Sequence, residues 1–127
     1  MGKLSKTEAS DHLEGPGYEG HIGEIEGTTV SFETYTEDAD LSPFFAGLPN
    51  DHCQCPHWGT VLRGKLTYRY EDGSTDVIST GEAYYARPGH VPVLTAGTEV
   101  IEFSPSVELA KTIEVVTRNV EAASTSA

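Results

Sequence analysis

The stretch NDHCQCPHWG, residues 50–59, sets His52, Cys53, Cys55 and His57 within six consecutive positions, and Cys53 and Cys55 are the only 2 cysteines of the chain. Thiolate together with imidazole is the ligand set of zinc, and it also suits ferrous iron or copper. On an extended backbone side chains alternate faces, so Asp51, Cys53, Cys55 and His57 would share one face. Pro56 removes a ladder donor and favours an edge or irregular position. Residues two apart can grip one ion, but ends four apart need a bend, because a strand rises ~3.3 Å per residue. With no second cysteine pair a zinc ribbon is excluded, and a complete site must borrow a ligand from elsewhere. His12 and His21 belong to a polar arm, which leaves His90 in RPGHVPV, a Pro-Gly turn that opens a strand. Two other uses of the cysteines compete. They can be small buried fillers, since free cysteine is among the most buried residue types. A redox pair is the other use, although a Cys53–Cys55 disulfide would close a very tight and strained loop.

A chain of 127 residues fits one domain with a hydrophobic core of its own. With 20 acidic against 8 basic residues the formal net charge is −12, which repels phosphate and argues against nucleic-acid or anionic-membrane partners. No stretch is apolar enough to span a bilayer, and MGKLSKTEASDHLEG lacks the apolar run of a secretory signal. A cytoplasmic location is the expectation, where thiols stay reduced and a cysteine pair serves metal or redox chemistry more often than a staple.

The elements that must position these residues read mostly as strands. Residues 1–20, with Gly15, Pro16, Gly17 and Gly20, show no periodicity and read as a flexible arm. TTVSFETYT alternates Val30 and Phe32 against Ser31 and Glu33, a strand pattern. In EDADLSPFFAGLP, Phe44, Phe45 and Leu48 would plug one end of the core. TVLRGKLTYRY is broken at Gly64, EDGS forms a hairpin turn at Asp72-Gly73, and TGE and AGT mark further turns before EVIEFS. Short strands at regular spacing indicate an all-β sandwich or barrel. Ser104 and Pro105 suit a helix start, and Leu109, Ile113, Val116 and Val120 recur at helical spacing. A domain over 21–121, including this helix, followed by a disordered tail over 122–127, completes the expected organisation.

Residues Thr28 to Pro105 resemble the cupins, small double-sheet jelly rolls with two short metal-binding motifs. In CPHWGTVLRGKL, Gly64 stands where the first motif closes, which puts His57 at its glutamate and Cys53 or His52 at its second histidine. The first histidine falls at Asp51 or Asn50. In GEAYYARPGHVPV, Gly81 opens the second motif and Gly89 is its inner glycine, while its proline falls at Arg87 and its histidine at Pro92. His90, two residues earlier, would face the same way as position 92.

This resemblance implies a cupin jelly-roll barrel with a metal pocket at its mouth, its ligands rebuilt around Cys53, Cys55, His57 and His90, with His52 and Asp51 in reserve. The implied cofactor is a divalent transition metal, zinc favoured and iron also suited. The implied activity is metal-dependent chemistry on a small organic molecule, with a non-catalytic zinc-binding or small-molecule-binding protein as the alternative. A homodimer is expected from the habit of the family and from the need to cover edge strands. Trp58, Tyr68, Tyr70, Tyr84 and Tyr85 are the expected aromatic walls, and Arg87 is a candidate clamp for a substrate carboxylate.

Overall fold

A computed structural model describes residues 2–125. Ten strands and one long helix follow in order: β1 (Asp11–Gly15), β2 (Tyr18–Ile25), β3 (Thr28–Tyr35), β4 (Ala39–Asp40), β5 (His57–Arg63), β6 (Lys65–Tyr70), β7 (Thr75–Ser79), β8 (Ala83–Ala86), β9 (His90–Leu94), β10 (Thr98–Pro105) and α1 (Ser106–Thr125). They form a six-stranded sheet in the order β1-β2-β3-β10-β5-β8 and a four-stranded sheet in the order β4-β9-β6-β7, every pairing antiparallel. The two inner faces enclose a core of Tyr35, Val61, Leu66, Tyr68, Tyr70, Ile78, Ala86, Leu94 and Val100. This is a jelly roll, as the resemblance to the cupins implies.

The predicted turns hold. Tyr70 and Ser74 close the β6–β7 hairpin around Gly73, whose φ is +88°. Gly64, φ +82°, carries the chain from one sheet to the other between β5 and β6. A Cβ there would lie 2.6 Å from the Cα of Thr98, so the corner needs both the left-handed backbone and the missing side chain. Phe45 and Leu48 do plug one end, in a second cluster with Cys53, Cys55 and Val91, and Phe44 packs against it.

Four expectations need correction. Residues 11–20 are not a loose arm: β1 and the start of β2 lie there, paired from Asp11↔Ile22 to Gly15↔Tyr18. The glycines of this segment supply the turn, and backbone pairing needs no hydrophobic alternation to hold. The helix starts at Ser106, because Ser104 and Pro105 continue β10 opposite Thr29 and Thr28. Its packed side is also rotated from the expected stripe. Leu109, Thr112, Val115, Val116 and Asn119 face the protein, whereas Ile113 and Val120 are exposed. Asn119 decides this by donating to the carbonyls of Phe44 (2.7 Å) and Ala46 (2.9 Å). The tail expected to be disordered is helical through Thr125; residues 126 and 127 lie outside the described part.

The inward faces of β3 and β10 are more polar than hydrophobicity suggests. Along β10, Val100, Glu102 and Ser104 point into the barrel, while Ile101 and Phe103 lie on the outer surface. Along β3, Glu33 and Tyr35 point inward. Residues near the amino terminus lie over part of the outer face, with Leu4 against Gly23.

The Gly64 corner yields a direct expectation. Gly64→Ala should lower stability by more than ~2 kcal/mol, because backbone strain and a backbone clash add. Gly73→Ala, with a similar φ but open space around it, should lose only about 1 kcal/mol. Urea midpoints of the two variants measure the difference, and equal losses would mean that the Thr98 contact relaxes freely.

Candidate metal centre

His57 is the first residue of β5 and His90 the first of β9, so each projects from a strand end at the same mouth of the barrel. Cys53 joins them through backbone pairing. Its N–H donates to the carbonyl of His90 (2.9 Å), and its own carbonyl accepts from the N–H groups of Gly89 (2.8 Å) and His90 (3.2 Å). The long-range partnership of the first cluster with His90 is therefore fixed by main-chain hydrogen bonds. One ligand atom from each of Cys53, His57 and His90 lies within 4.8 Å of the others. All three residues are buried, at 1%, 6% and 1% exposure.

The orientation of the two imidazoles is set from behind. His90 Nδ1 is 2.6 Å from the carbonyl oxygen of Arg87, and a carbonyl can only accept, so Nδ1 carries the proton. The lone pair of the neutral ring is then on Nε2. That atom is the one buried side-chain nitrogen or oxygen without a hydrogen-bond partner among the described residues. An unpaired buried polar atom costs ~1–3 kcal/mol, so its persistence calls for a partner. His57 repeats the design: Nδ1 is 2.7 Å from Ser104 Oγ and 3.7 Å from Glu102 Oε2, and Nε2 is 3.7 Å from Cys53 Sγ. Zinc bonds of ~2.3 Å to sulfur and ~2.0–2.1 Å to nitrogen place tetrahedral S and N ligands roughly 3.6 Å apart. The donor set and its spacing fit a transition ion, with Arg87, Ser104 and Glu102 as the outer partners that hold ligating histidines in place.

The other expected ligands stand apart. Residues 53–56 are not a regular strand, so the strict alternation expected of Cys53 and Cys55 fails. Cys55 is buried, but its Sγ is 3.3 Å from the carbonyl of Pro56 and it is not one of the three convergent donors. Asp51 accepts from the N–H of Gly47, and His52 Nδ1 donates to the carbonyl of Asn50, so both reserves are occupied in a surface turn. Arg87 lies outside the barrel over the ring of Tyr70, 3.7 Å from its centroid, and contacts Asp72 and Ser74 rather than the pocket. Tyr68, Tyr70 and Tyr84 do face inward; Trp58 and Tyr85 are each 49% exposed and pack on one another outside.

Sequence reasoning missed the polar layer behind the histidines. Glu102 Oε1 accepts from the hydroxyls of Tyr68 (2.5 Å) and Tyr84 (2.7 Å), and Glu33 accepts from Tyr18 (2.6 Å). Thr112 of α1 closes the centre with its Oγ1 at 3.4 Å from Cys53 Sγ. The signal for Glu102 was present, since strict alternation in VIEFS puts it with Val100 and Ser104, on whichever face holds Val100.

Burial and charge tune these groups. Burial alone would raise the Cys53 thiol, but the imidazoles beside it, His57 first, outweigh burial and bring the thiol down to about 6. Burial would lower His57, yet the Glu102 carboxylate and the Cys53 and Cys55 sulfurs hold its proton well above the ordinary range. Without an ion the centre is thus a thiolate beside an imidazolium. Glu33 is pushed up to about 7, first by burial and then by the charge of Glu102.

Solved structures of similar shape include cupin-fold proteins. KdgF from Halomonas sp. superposes with a TM-score of 0.55 at 19% identity, over 83% of this chain and 94% of that one. An RmlC-like cupin from Shewanella frigidimarina gives 0.54 at 16% identity, over 80% and 89%. A mutant of Bacillus subtilis oxalate decarboxylase OxdC gives 0.58 at 13% identity, over 80% of this chain and 28% of that larger one. The chain has the cupin fold. No family model matches it, and no curated protein does.

The Glu33 carboxyl makes stability depend on pH in a defined direction. Between the ordinary value of 4.5 and about 7 the folded protein keeps a proton that the unfolded chain has lost. Stability is therefore highest below that window and falls as pH rises through it, by at most roughly 3 kcal/mol. Glu33→Gln keeps an acceptor for Tyr18 and removes the charge. Its melting temperature should exceed the parent's at pH 8, with the gain shrinking toward pH 4.5. An equal difference at both values would mean that Glu33 ionises at no cost.

Proposed function

We propose that this protein binds one divalent transition ion through Cys53, His57 and His90, and acts through that ion on a small organic molecule within the barrel. The observation that carries the reading is the partnerless Nε2 of His90, held by its Nδ1 hydrogen bond so that it faces Cys53 and His57. Zinc is favoured by the thiolate and the two imidazoles, and ferrous iron suits the same donors. Three protein ligands leave a coordination position open, and an ion held so supplies Lewis-acid activation of a bound oxygen.

The chain's own residues supply the rest. Ser104 and Glu102 hold His57 in place, and Tyr68 and Tyr84 fix the Glu102 carboxylate. A zinc site that serves stability alone has no use for two carboxyls and three tyrosine hydroxyls lining the space behind it, and this polar layer favours the catalytic reading. A second reading, a closed non-catalytic zinc site, draws on Cys55, whose buried thiol is close enough to His57 to help hold its proton. Rotation of that side chain would add a fourth ligand.

Metal content of untagged protein tests the proposal. About one zinc or iron per chain is expected, falling at least tenfold in Cys53→Ser, His57→Ala and His90→Ala while far-UV circular dichroism stays unchanged. Cys55→Ser should keep its ion, and in the cobalt-substituted protein its thiolate charge-transfer band should keep the parent's intensity. A band cut by half would install the closed two-thiolate site instead. Because the Cys53 thiol is already largely ionised at neutral pH while His57 is protonated, metal uptake at pH 7 should release about one proton per ion. Calorimetry in buffers of different ionisation enthalpy reads that number. Parent protein that takes up no ion after reconstitution under reducing conditions would end the metal reading.

A further inference from the structure

The hairpin of β1 and β2 carries a second convergence of donor atoms, away from the barrel interior. His12 and His21 stand directly opposite each other across the two strands, and Glu14 and Glu19 are the next pair on the same face. Cross-strand partners bring their Cβ atoms within ~4.5–5.5 Å, and residues two apart along a strand share a face. All four side chains therefore project from one small patch. The imidazole rings are stacked, with centroids 4.3 Å apart and planes 11° from parallel.

The Glu19 carboxylate bridges the Nε2 atoms of the two rings. His12 Nε2 is 3.5 Å from Glu19 Oε2 and 3.3 Å from Glu14 Oε1, and His21 Nε2 is 3.3 Å from Glu19 Oε1. One donor atom each from His12, Glu19 and His21 lies within 4.8 Å of the others. Ligand bonds of ~2.0–2.2 Å put tetrahedral N and O donors roughly 3.3–3.6 Å apart, the spacing already present here. Two imidazoles and one or two carboxylates also match the chemistry of a borderline ion, and the carboxylates offset its charge. The chain's net charge of −12 raises the local concentration of cations.

We propose that His12, Glu19 and His21, with Glu14 as a fourth donor, form a surface site for a divalent transition ion of the zinc or copper(II) class. The ion clips β1 to β2. That strand is at the edge of the six-stranded sheet, all five of its residues are exposed, and its ladder partner is β2. A cross-link between His12 and His21 holds the strand without any core of its own. The site is independent of the thiolate centre and shares no ligand with it.

Zinc titration followed by calorimetry, with cobalt spectra in parallel, tests this. The parent should bind two ions, of which only one gives a thiolate charge-transfer band. His12→Ala/His21→Ala should bind one ion and keep the band, Cys53→Ser should bind one ion without it, and Glu19→Gln should weaken the band-free site at least tenfold. At a free zinc concentration ten times the dissociation constant of the hairpin site, amide exchange in β1 should slow about tenfold in the parent and not in the double variant. A double variant that binds as many ions as the parent overturns the hairpin site, and so does a parent whose single ion is lost in Cys53→Ser. A single ion that survives Cys53→Ser but not the double variant keeps the hairpin site and removes the barrel reading instead.

Discussion

A buried polar atom needs a partner, and the inside of this barrel is built around that need. Glu33, Glu102, His57, His90, Cys53 and Ser104 all turn toward a space that an ordinary jelly roll fills with aliphatic side chains. Tyrosine hydroxyls answer the carboxylates, Ser104 answers one face of His57, and the Arg87 carbonyl answers one face of His90. What remains unanswered is His90 Nε2. The rest of the centre is arranged around that position, with the Cys53 sulfur and the second imidazole facing it at ligand spacing.

The strands place these groups through their ends rather than through their middles. His57 and His90 each open a strand, where the backbone has left the loop but side chains still reach the mouth of the barrel. Three main-chain hydrogen bonds then fasten Cys53 to the Gly89–His90 corner. The helix finishes the enclosure, since Asn119 pins it to the carbonyls of Phe44 and Ala46 and Thr112 closes over the sulfur. A dry surround strengthens every interaction inside it, which is why a thiol, an imidazole and a carboxylate shift one another's proton affinity so far.

Much of the fold was legible in local signals. Gly64, Gly73, Gly81 and Gly97 stand at turns that need a left-handed backbone, and the sequence marks each of them without reference to any partner. The pairing of His90 with the cysteine cluster was legible for a related reason, because the Pro-Gly turn of RPGH fixes where that strand starts. Hydrophobicity failed on the outer sheet. Ile101 and Phe103 look like core and are not, and Glu102 looks like surface and is not, because the inward face of β10 joins Val100 of the apolar core to a polar layer of Glu102 and Ser104. The amino-terminal hairpin was missed for want of alternation, and with it the cross-strand meeting of His12 and His21.

The sequence by itself determined the donor types, the positions of the turns and the strand-rich class, since each depends on residue chemistry or on local backbone preference. Tertiary structure alone decided which donors converge. Cys53 and Cys55 are two residues apart and chemically identical, yet only Cys53 is drawn to His57 and His90, by main-chain bonds to a segment more than thirty residues away. The bend between them breaks the strict alternation that would have put both sulfurs on one face. Spacing along a chain constrains where a side chain can point, but the partner strand and the closing helix select the direction it takes.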